Sequence, residues 1–254
     1  MAEPFLSVVI PAYNEYLRIG TSLEKIRQYL QAKSFSSELV VVDDGSVDTT
    51  PELLREAGAR FPALRVLRNE PNQGKGFSVR RGVLEARGEF VLFTDADLSA
   101  PIEEADKLLD ALESSGADAA VGSRALQREL VGVHQPWFRE YAGRGFNLLV
   151  RLFTGLRIRD TQCGLKLFRR ATTRRAFELQ RCKGFGFDPE LLFLIERLGG
   201  KLVEVPVRWY DNPATKVRFL RDSSTMFLDL VRLRWRAWRG QYSRDRSPRS
   251  EPAV

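Results

Sequence analysis

Three short apolar runs in the first half of the chain each stop on a loop that carries carboxylates, and that regularity restricts the fold more than any other feature. Residues 5–10 run into Pro11-Ala12-Tyr13-Asn14-Glu15, residues 38–42 into Asp43-Asp44-Gly45-Ser46, and residues 89–94 into Asp95-Ala96-Asp97. Between them lie segments with helical spacing. Ile19, Leu23, Ile26 and Leu30 recur at intervals of three and four. Residues 49–61 read as a helix with Pro51 in its first turn, residues 76–87 as a helix closed by Gly88, and residues 103–114 as another. Strands are expected at 64–68 and 118–121 as well. Strands alternating with helices predict an α/β layered fold with a mostly parallel central sheet. Ligands of open α/β sheets bind beyond the carboxyl ends of the strands, so loops 11–15, 43–46 and 95–99 are expected to share one rim.

The second half is less regular. Residues 131–156 are rich in aromatics and arginines and read as an amphipathic helix broken at Gly143 and Gly145. Strands are expected at 164–168 and 201–209, with a helix at 189–198 between them and a last helix at 222–240. The segment 242–254 is polar and rich in Arg, Ser and Pro, a composition expected to be disordered.

At 254 residues with 43% hydrophobic and 29% charged side chains, the chain has the balance of a globular domain with a sizeable core. Met1-Ala2-Glu3-Pro4 has no basic character, and the apolar run that follows is too short for a signal peptide. No stretch approaches the roughly 20 apolar residues of a spanning helix. The expected location is cytoplasmic, with a peripheral position on a membrane face. Two cysteines, Cys163 and Cys182, suit a reducing compartment, and together with His134 they lack the spacing of a zinc site. The net charge of +7 is entirely local: between 216 and 249 ten Lys/Arg face three acids, and the rest of the chain is neutral. No nucleic-acid-binding motif accompanies this basic end, so a nucleic-acid partner is not expected.

Asp95-Ala96-Asp97 is the sharpest chemical feature. Two carboxylates one residue apart at a strand end can turn toward one hard cation, Mg²⁺ or Mn²⁺, whose remaining ligands come from substrate phosphates. A solvated turn contains the same residues. Asp43-Asp44-Gly45-Ser46 is likewise either a helix-capping turn or a pair of acceptors for a nucleobase imide and ribose hydroxyls. Tyr13 can pack against a base and Glu15 bind a ribose. Asn72-Gln73-Gly74-Lys75-Gly76 opens a helix with two glycines and a cation, a combination that suits a phosphate or a plain turn.

Ser7–Glu15, Val41–Ser46, Asn72–Gly76 and Thr94–Asp97, in this order and spacing, resemble an inverting family-2 glycosyltransferase of the GT-A fold. Gly122-Ser123-Arg124, Asp160-Thr161-Gln162-Cys163-Gly164-Leu165-Lys166-Leu167-Phe168, Gly186-Phe187-Asp188-Pro189-Glu190, Thr215-Lys216-Val217 and Arg221-Asp222-Ser223 extend the likeness to dolichyl-phosphate β-glucosyltransferases and their prokaryotic polyprenyl-phosphate relatives. The resemblance covers residues 5–225. It implies a three-layer α/β/α sandwich over 1–222, a nucleotide-sugar donor, a divalent metal and a polyprenyl-phosphate acceptor. By position it implies that Pro11, Tyr13, Glu15, Asp43, Lys75 and Ala96 line the nucleotide, that Asp95 and Asp97 hold the metal, and that Arg124, Lys216 and Arg221 meet phosphates. Related mannosyl-phosphate enzymes often carry Gln two residues after the second acid. Here that residue is Ser99, which favours a glucosyl over a GDP-mannose-dependent branch.

A phosphate acceptor is already largely dianionic at neutral pH, whereas a glycan hydroxyl, the alternative acceptor, requires a general base. The chain has one histidine; Asp97, Asp160 and Asp188 are the candidate catalytic carboxylates. A nucleotide-sugar-binding protein without turnover is a further alternative, disfavoured by the intact Asp95–Asp97 pair. In residues 223–241 Asp229, Arg232, Arg236 and Arg239 form a polar stripe beside Met226, Phe227, Leu230, Val231, Leu233 and Trp238. Basic charge next to Trp and Leu is the pattern of a helix lying in an anionic membrane surface, or of a helix packed on its own domain.

Overall fold

The structure, a computed structural model, describes residues 3–133, 137–210 and 219–242. In chain order the elements are β1 (Leu6–Ala12), α1 (Tyr16–Gln31), β2 (Ser37–Asp43), α2 (Thr50–Arg60), β3 (Leu64–Arg68), α3 (Lys75–Glu85), β4 (Phe90–Thr94), α4 (Glu104–Ser115) and β5 (Ala119–Ser123). They continue with β6 (Val131–Val133), α5 (Trp137–Thr154), β7 (Leu165–Arg169), α6 (Arg170–Leu179), α7 (Phe187–Arg197), β8 (Leu202–Pro206), β9 (Trp209–Tyr210) and α8 (Phe219–Trp238). Seven strands form one sheet in the order β3-β2-β1-β4-β7-β5-β8, and β6 pairs with β9 in a second, two-stranded sheet. The large sheet is parallel except for β7, which runs antiparallel between β4 and β5.

Strand alternation divides the core into two layers. Val8, Ile10, Leu39, Val41 and Leu92 face Leu23 of α1, Leu54 of α2 and Leu108 of α4. Val9, Val40, Val42, Val91 and Phe93 face Val79 of α3, Phe177 of α6, Leu191 of α7 and Leu230 of α8. The expected mostly parallel three-layer α/β/α sandwich is therefore what the chain forms. The chain winds outward from β1 through β2 to β3, then returns to β4 on the other side of β1. The strand order reverses there, so a crevice opens beyond the ends of β1 and β4.

Pro11 does not end β1, contrary to the sequence expectation. The strand continues to Ala12, with Pro11 opposite Val42 and Ala12 opposite Asp43. Ala12 O accepts from Asp44 N at 2.7 Å, so Ala12 directs its backbone groups toward β2. Pro11, one residue earlier, directs its own the opposite way, toward β4. The pairing of β1 with β4 stops at Val9, so the missing N–H costs no ladder bond. The separation of β1 from β4 is also what opens the crevice.

Other departures lie in the second half. α5 is unbroken through Gly143 and Gly145. Glycine costs a helix interior about 1 kcal/mol, and packing against α7 and α8 outweighs it here. The strand expected over 201–209 is two, β8 and β9, and α6 has no counterpart in the sequence reading; residues 131–133, expected to open the helix, instead form β6, held by pairing with β9. α8 begins at Phe219 and buries Leu230, Leu233 and Ala237 in the domain core. Its polar stripe is not uniformly solvated. Asp229 accepts from Cys182 Sγ at 3.3 Å, and Arg236 Nη1 lies 3.6 Å from Glu190 Oε1. Tyr242, placed by the sequence reading in the tail, is buried and donates to Glu190. The rest of that tail, with His134, Lys216 and the Thr215-Lys216-Val217 motif, lies outside the described residues.

α3 lies flat on β1 and β2 because Gly82 has no side chain. A Cβ there would collide with Val9 Cγ1 and lie 3.0 Å from Val42 Cγ2. Gly82→Val is expected to lower stability by about 1–3 kcal/mol, the usual cost of overpacking, as read from urea denaturation midpoints.

Candidate active site

The rim beyond β1, β2, β3 and β4 is built by side chains that bind backbone. Asn14, at φ 54, receives Val47 N on its Oδ1 at 2.9 Å, while its own N–H donates to Ser46 Oγ at 2.8 Å. Loops 11–15 and 43–46 are thereby joined. Asp44 joins the second loop to the start of α3. Its Oδ1 accepts from Asn69 Nδ2 at 2.7 Å and Gln73 N at 3.0 Å, and its Oδ2 from Gly74 N at 2.8 Å. At 3% exposure its carboxylate has an internal role, in contrast to the ribose contact considered from the sequence. Gly74 sits at φ 100, and a Cβ on it would lie 2.5 Å from Lys183 O. Only glycine fits both conditions.

Asp43 is 1% exposed; Ser46 N donates to its Oδ1 at 3.0 Å and Arg68 Nη1 to its Oδ2 at 2.6 Å. Pro11 is half-buried, and Tyr13 is 41% exposed. Glu15 forms a two-pronged pair with Arg18, with Nε to Oε2 at 2.8 Å and Nη2 to Oε1 at 2.9 Å.

Asp95 and Asp97 follow β4 directly. Asp95 N donates to Gly164 O at 3.1 Å, and a Cβ on Gly164 would collide with the Asp95 carboxylate. Lys75 Nζ lies 2.7 Å from Asp95 Oδ1. Asp97 accepts from Ser99 N at 3.1 Å, and Arg18 Nη1 stands 3.9 Å from its Oδ2. Between them Ala96 is buried, with its carbonyl accepting from Ser22 Oγ at 2.7 Å. Burial, then the charge of Asp95, push the Asp97 carboxyl above the usual range. Burial alone would lower the Lys75 ammonium, but Asp95 and then Asp188 outweigh it and raise it. Two neighbouring carboxylates, one resisting ionisation, form a site that a divalent cation would stabilise. Among the described residues no group of three or more His, Cys, Asp and Glu side chains converges as a metal cage. Asp95 and Asp97 fit a hard cation that completes its shell from phosphate oxygens.

The remaining carboxylates of interest are ion-paired. Asp160, 2% exposed, receives Arg124 Nε at 2.7 Å, Nη2 at 2.8 Å and the Arg124 backbone N–H at 3.0 Å. Burial would raise its carboxyl, but the Arg124 charge and hydrogen bonds outweigh that and hold it below the usual range. The guanidinium also lies over Trp209, 4.7 Å from the ring centroid. Asp188, in the first turn of α7, accepts from Lys166 Nζ at 2.6 Å. Its carboxyl is pushed up by burial, against the opposing charges of Lys166 and Lys75. Arg221 is carried by α8.

Four participants were not singled out from the sequence as site residues: Arg18, Arg68, Asn69 and Lys166. Arg18 had a visible signal, since it lies three residues after Glu15 on a helix. Lys166 had another: it is the one charge inside the apolar strand segment Leu165–Phe168.

Residues 7–177 match the family described as Glycosyl transferase family 2. The chain is 38% identical over 251 residues to dolichyl-phosphate β-glucosyltransferase of Drosophila melanogaster, covering 92% of this chain and 77% of that one. It is 37% identical over 250 residues to dolichyl-phosphate β-glucosyltransferase of Saccharomyces cerevisiae, covering 91% and 75%. Its fold is shared with glucosyl-3-phosphoglycerate synthase of Mycobacterium tuberculosis, solved in complex with Mn²⁺, uridine diphosphate and glucosyl-3-phosphoglycerate. The TM-score is 0.66 at 21% identity, over 91% of this chain and 80% of that one.

The Asp160–Arg124 pair has a pH signature. A lowered folded-state pKa contributes stability that is present above the unfolded Asp value of about 3.9 and is lost as pH falls through the folded value. Asp160→Asn is therefore expected to be less stable than the wild type at neutral pH, with the difference shrinking below about pH 4. Urea midpoints across that range check it.

Proposed function

Because the chain belongs to glycosyltransferase family 2, we propose that it transfers glucose from UDP-glucose to a polyprenyl phosphate with inversion at the anomeric carbon. The observation that carries this reading is the Asp95–Asp97 pair at the end of β4, facing Lys75 across the crevice where the strand order reverses. The relatives that match most of the chain are dolichyl-phosphate β-glucosyltransferases, which supports both the sugar and the acceptor class.

Tyr13, beside half-buried Pro11, offers an exposed ring for the base, with Asp43, Glu15 and Ala96 along the nucleotide. Asp95 and Asp97 hold Mg²⁺ or Mn²⁺, which when bound offsets charge on the departing diphosphate. Lys75 adds a further cation to that diphosphate. An acceptor phosphate oxygen forms the new bond to the anomeric carbon as the bond to the diphosphate breaks, and the electron pair leaves with UDP. No proton has to be removed, because the phosphate monoester is already ionised. This suits a site in which Arg124 holds Asp160 ionised and Lys166 pairs with Asp188. Arg124, Lys216 and Arg221 are the proposed acceptor-phosphate contacts, with Asp160 and Asp188 orienting groups around the sugar.

Incubation with UDP-glucose and undecaprenyl phosphate is expected to give a glucosyl lipid in the presence of Mn²⁺ and none with EDTA. Asp95→Asn and Asp97→Ala are expected to fold and to lose at least about 10²-fold in kcat. Transfer that survives EDTA would refute the metal role, and transfer from GDP-mannose alone would refute the donor.

The same reading places the protein on the face of a membrane. No described helix is long and apolar enough to cross one. α8 nevertheless exposes Phe227, Leu228, Val231, Trp235 and Trp238, and α5 beside it exposes Leu148 and Leu152. Arg232, Arg234 and Arg239 are exposed among them. Each basic residue near an anionic leaflet contributes about 1 kcal/mol, and the tryptophans supply interfacial anchoring. Trp235→Ala with Trp238→Ala is expected to reduce co-sedimentation with phosphatidylglycerol vesicles severalfold. Unchanged binding would remove this surface from the proposal.

A further inference from the structure

Lys166 is wholly buried in β7, yet it carries a charge. Its Nζ donates to Cys163 O at 2.6 Å and to Asp188 Oδ1 at 2.6 Å, and lies 5.5 Å from the centroid of the Phe93 ring. Phe93 is its partner across the sheet, one residue before Thr94 and two before Asp95. Lys75 Nζ lies at the same 5.5 Å from that ring, so two ammonium groups flank one aromatic side chain. A buried ion pair is seldom more stable than an apolar pair of the same volume. A fully buried lysine in a central strand therefore calls for a role other than stability.

We propose that Lys166 is a positioning residue for Asp95, acting through the Cys163–Gly164 backbone that it ties to Asp188. Gly164 O accepts from Asp95 N at 3.1 Å, and the Gly164 α-carbon leaves only enough room for the Asp95 carboxylate to lie against it. The ammonium fixes the carbonyl immediately before that glycine and anchors it to the first turn of α7. The orientation of Asp95 is thus set through the Cys163–Gly164 backbone by Lys166 and by direct contact with Lys75. The inference rests on Asp95 being a metal-holding carboxylate. Groups that orient a metal-binding side chain typically change metal affinity by about 10–100-fold when removed.

The test is Mn²⁺ binding in the presence of UDP, followed by the electron paramagnetic resonance signal of free Mn²⁺, with no acceptor and no turnover. Two variants are compared with the wild type, each shown to be folded by its thermal melt: the double variant Lys166→Met with Asp188→Asn, which leaves no uncompensated charge, and Lys166→Gln. Both are expected to bind Mn²⁺ about 10–100-fold more weakly, where a merely structural lysine would lower only the melting temperature. Wild-type affinity in either folded variant overturns the proposal. A wild type that binds UDP with no contribution from Mn²⁺ overturns the metal reading itself and this inference with it, an outcome distinguished by its appearing before any substitution is made.

Discussion

One carboxylate holds the rim in register. Asp44 accepts from Asn69, Gln73 and Gly74, and its backbone donates to Ala12 O and accepts from Asn72 Nδ2. The ends of β1, β2 and β3 and the start of α3 thus meet at a single residue. Hydrogen bonds to a buried charge are worth roughly 1.5–3 kcal/mol each, more than a loop of this length supplies from local propensity. The consequence is geometric: with Gly74 pinned, α3 starts where Lys75 reaches Asp95 at 2.7 Å.

Charge in the crevice follows from this arrangement. Asp97 meets Arg18, Asp95 meets Lys75, and Asp188 meets Lys166, at 3.9, 2.7 and 2.6 Å. Asp95 and Asp97 keep side-chain exposures of 25% and 22%, whereas Lys166 is wholly enclosed. The two carboxylates nearest solvent are the ones a cation can reach. The deep pair is screened least, so it acts as a fixed internal strut. Buried polar arrangements of this kind fix orientation more than they add stability.

The first half of the fold was legible because its signals are local: apolar runs closed by Asp, Gly and Pro, and helical spacing from Ile19 to Leu30. β3 agrees residue for residue with the sequence reading, as Leu64–Arg68. Pro11 misled because its effect depends on which neighbour it faces, and the divergence of β1 from β4 is a tertiary fact. Gly143 and Gly145 misled for a similar reason, since packing against α7 and α8 outweighs helix propensity. The rim carboxylates were visible as residue types, but their partners were not. Arg68 lies twenty-five residues from Asp43 and Lys166 twenty-two from Asp188. Spacing in the sequence contains nothing that links them, nor anything that links Asp44 to Asn69, Gln73 and Gly74, the donors to its carboxylate.

The distribution of cations bears on the acceptor. A hydroxyl nucleophile requires a carboxylate or imidazole able to take its proton, and such a group works best with a pKa near the operating pH. Asp160 is moved the wrong way, held ionised by a two-pronged guanidinium that also rests on Trp209. Asp188 is moved upward by burial, yet its Oδ1 is occupied by Lys166 and its environment is closed. The chain's single histidine lies outside the described residues. A phosphate acceptor removes the need for any of these groups to move a proton. It requires positive charge that holds it in line without direct contact quenching its oxygens. A crevice in which Asp160 and Asp188 already have their cations is chemically matched to an anionic nucleophile such as a polyprenyl phosphate.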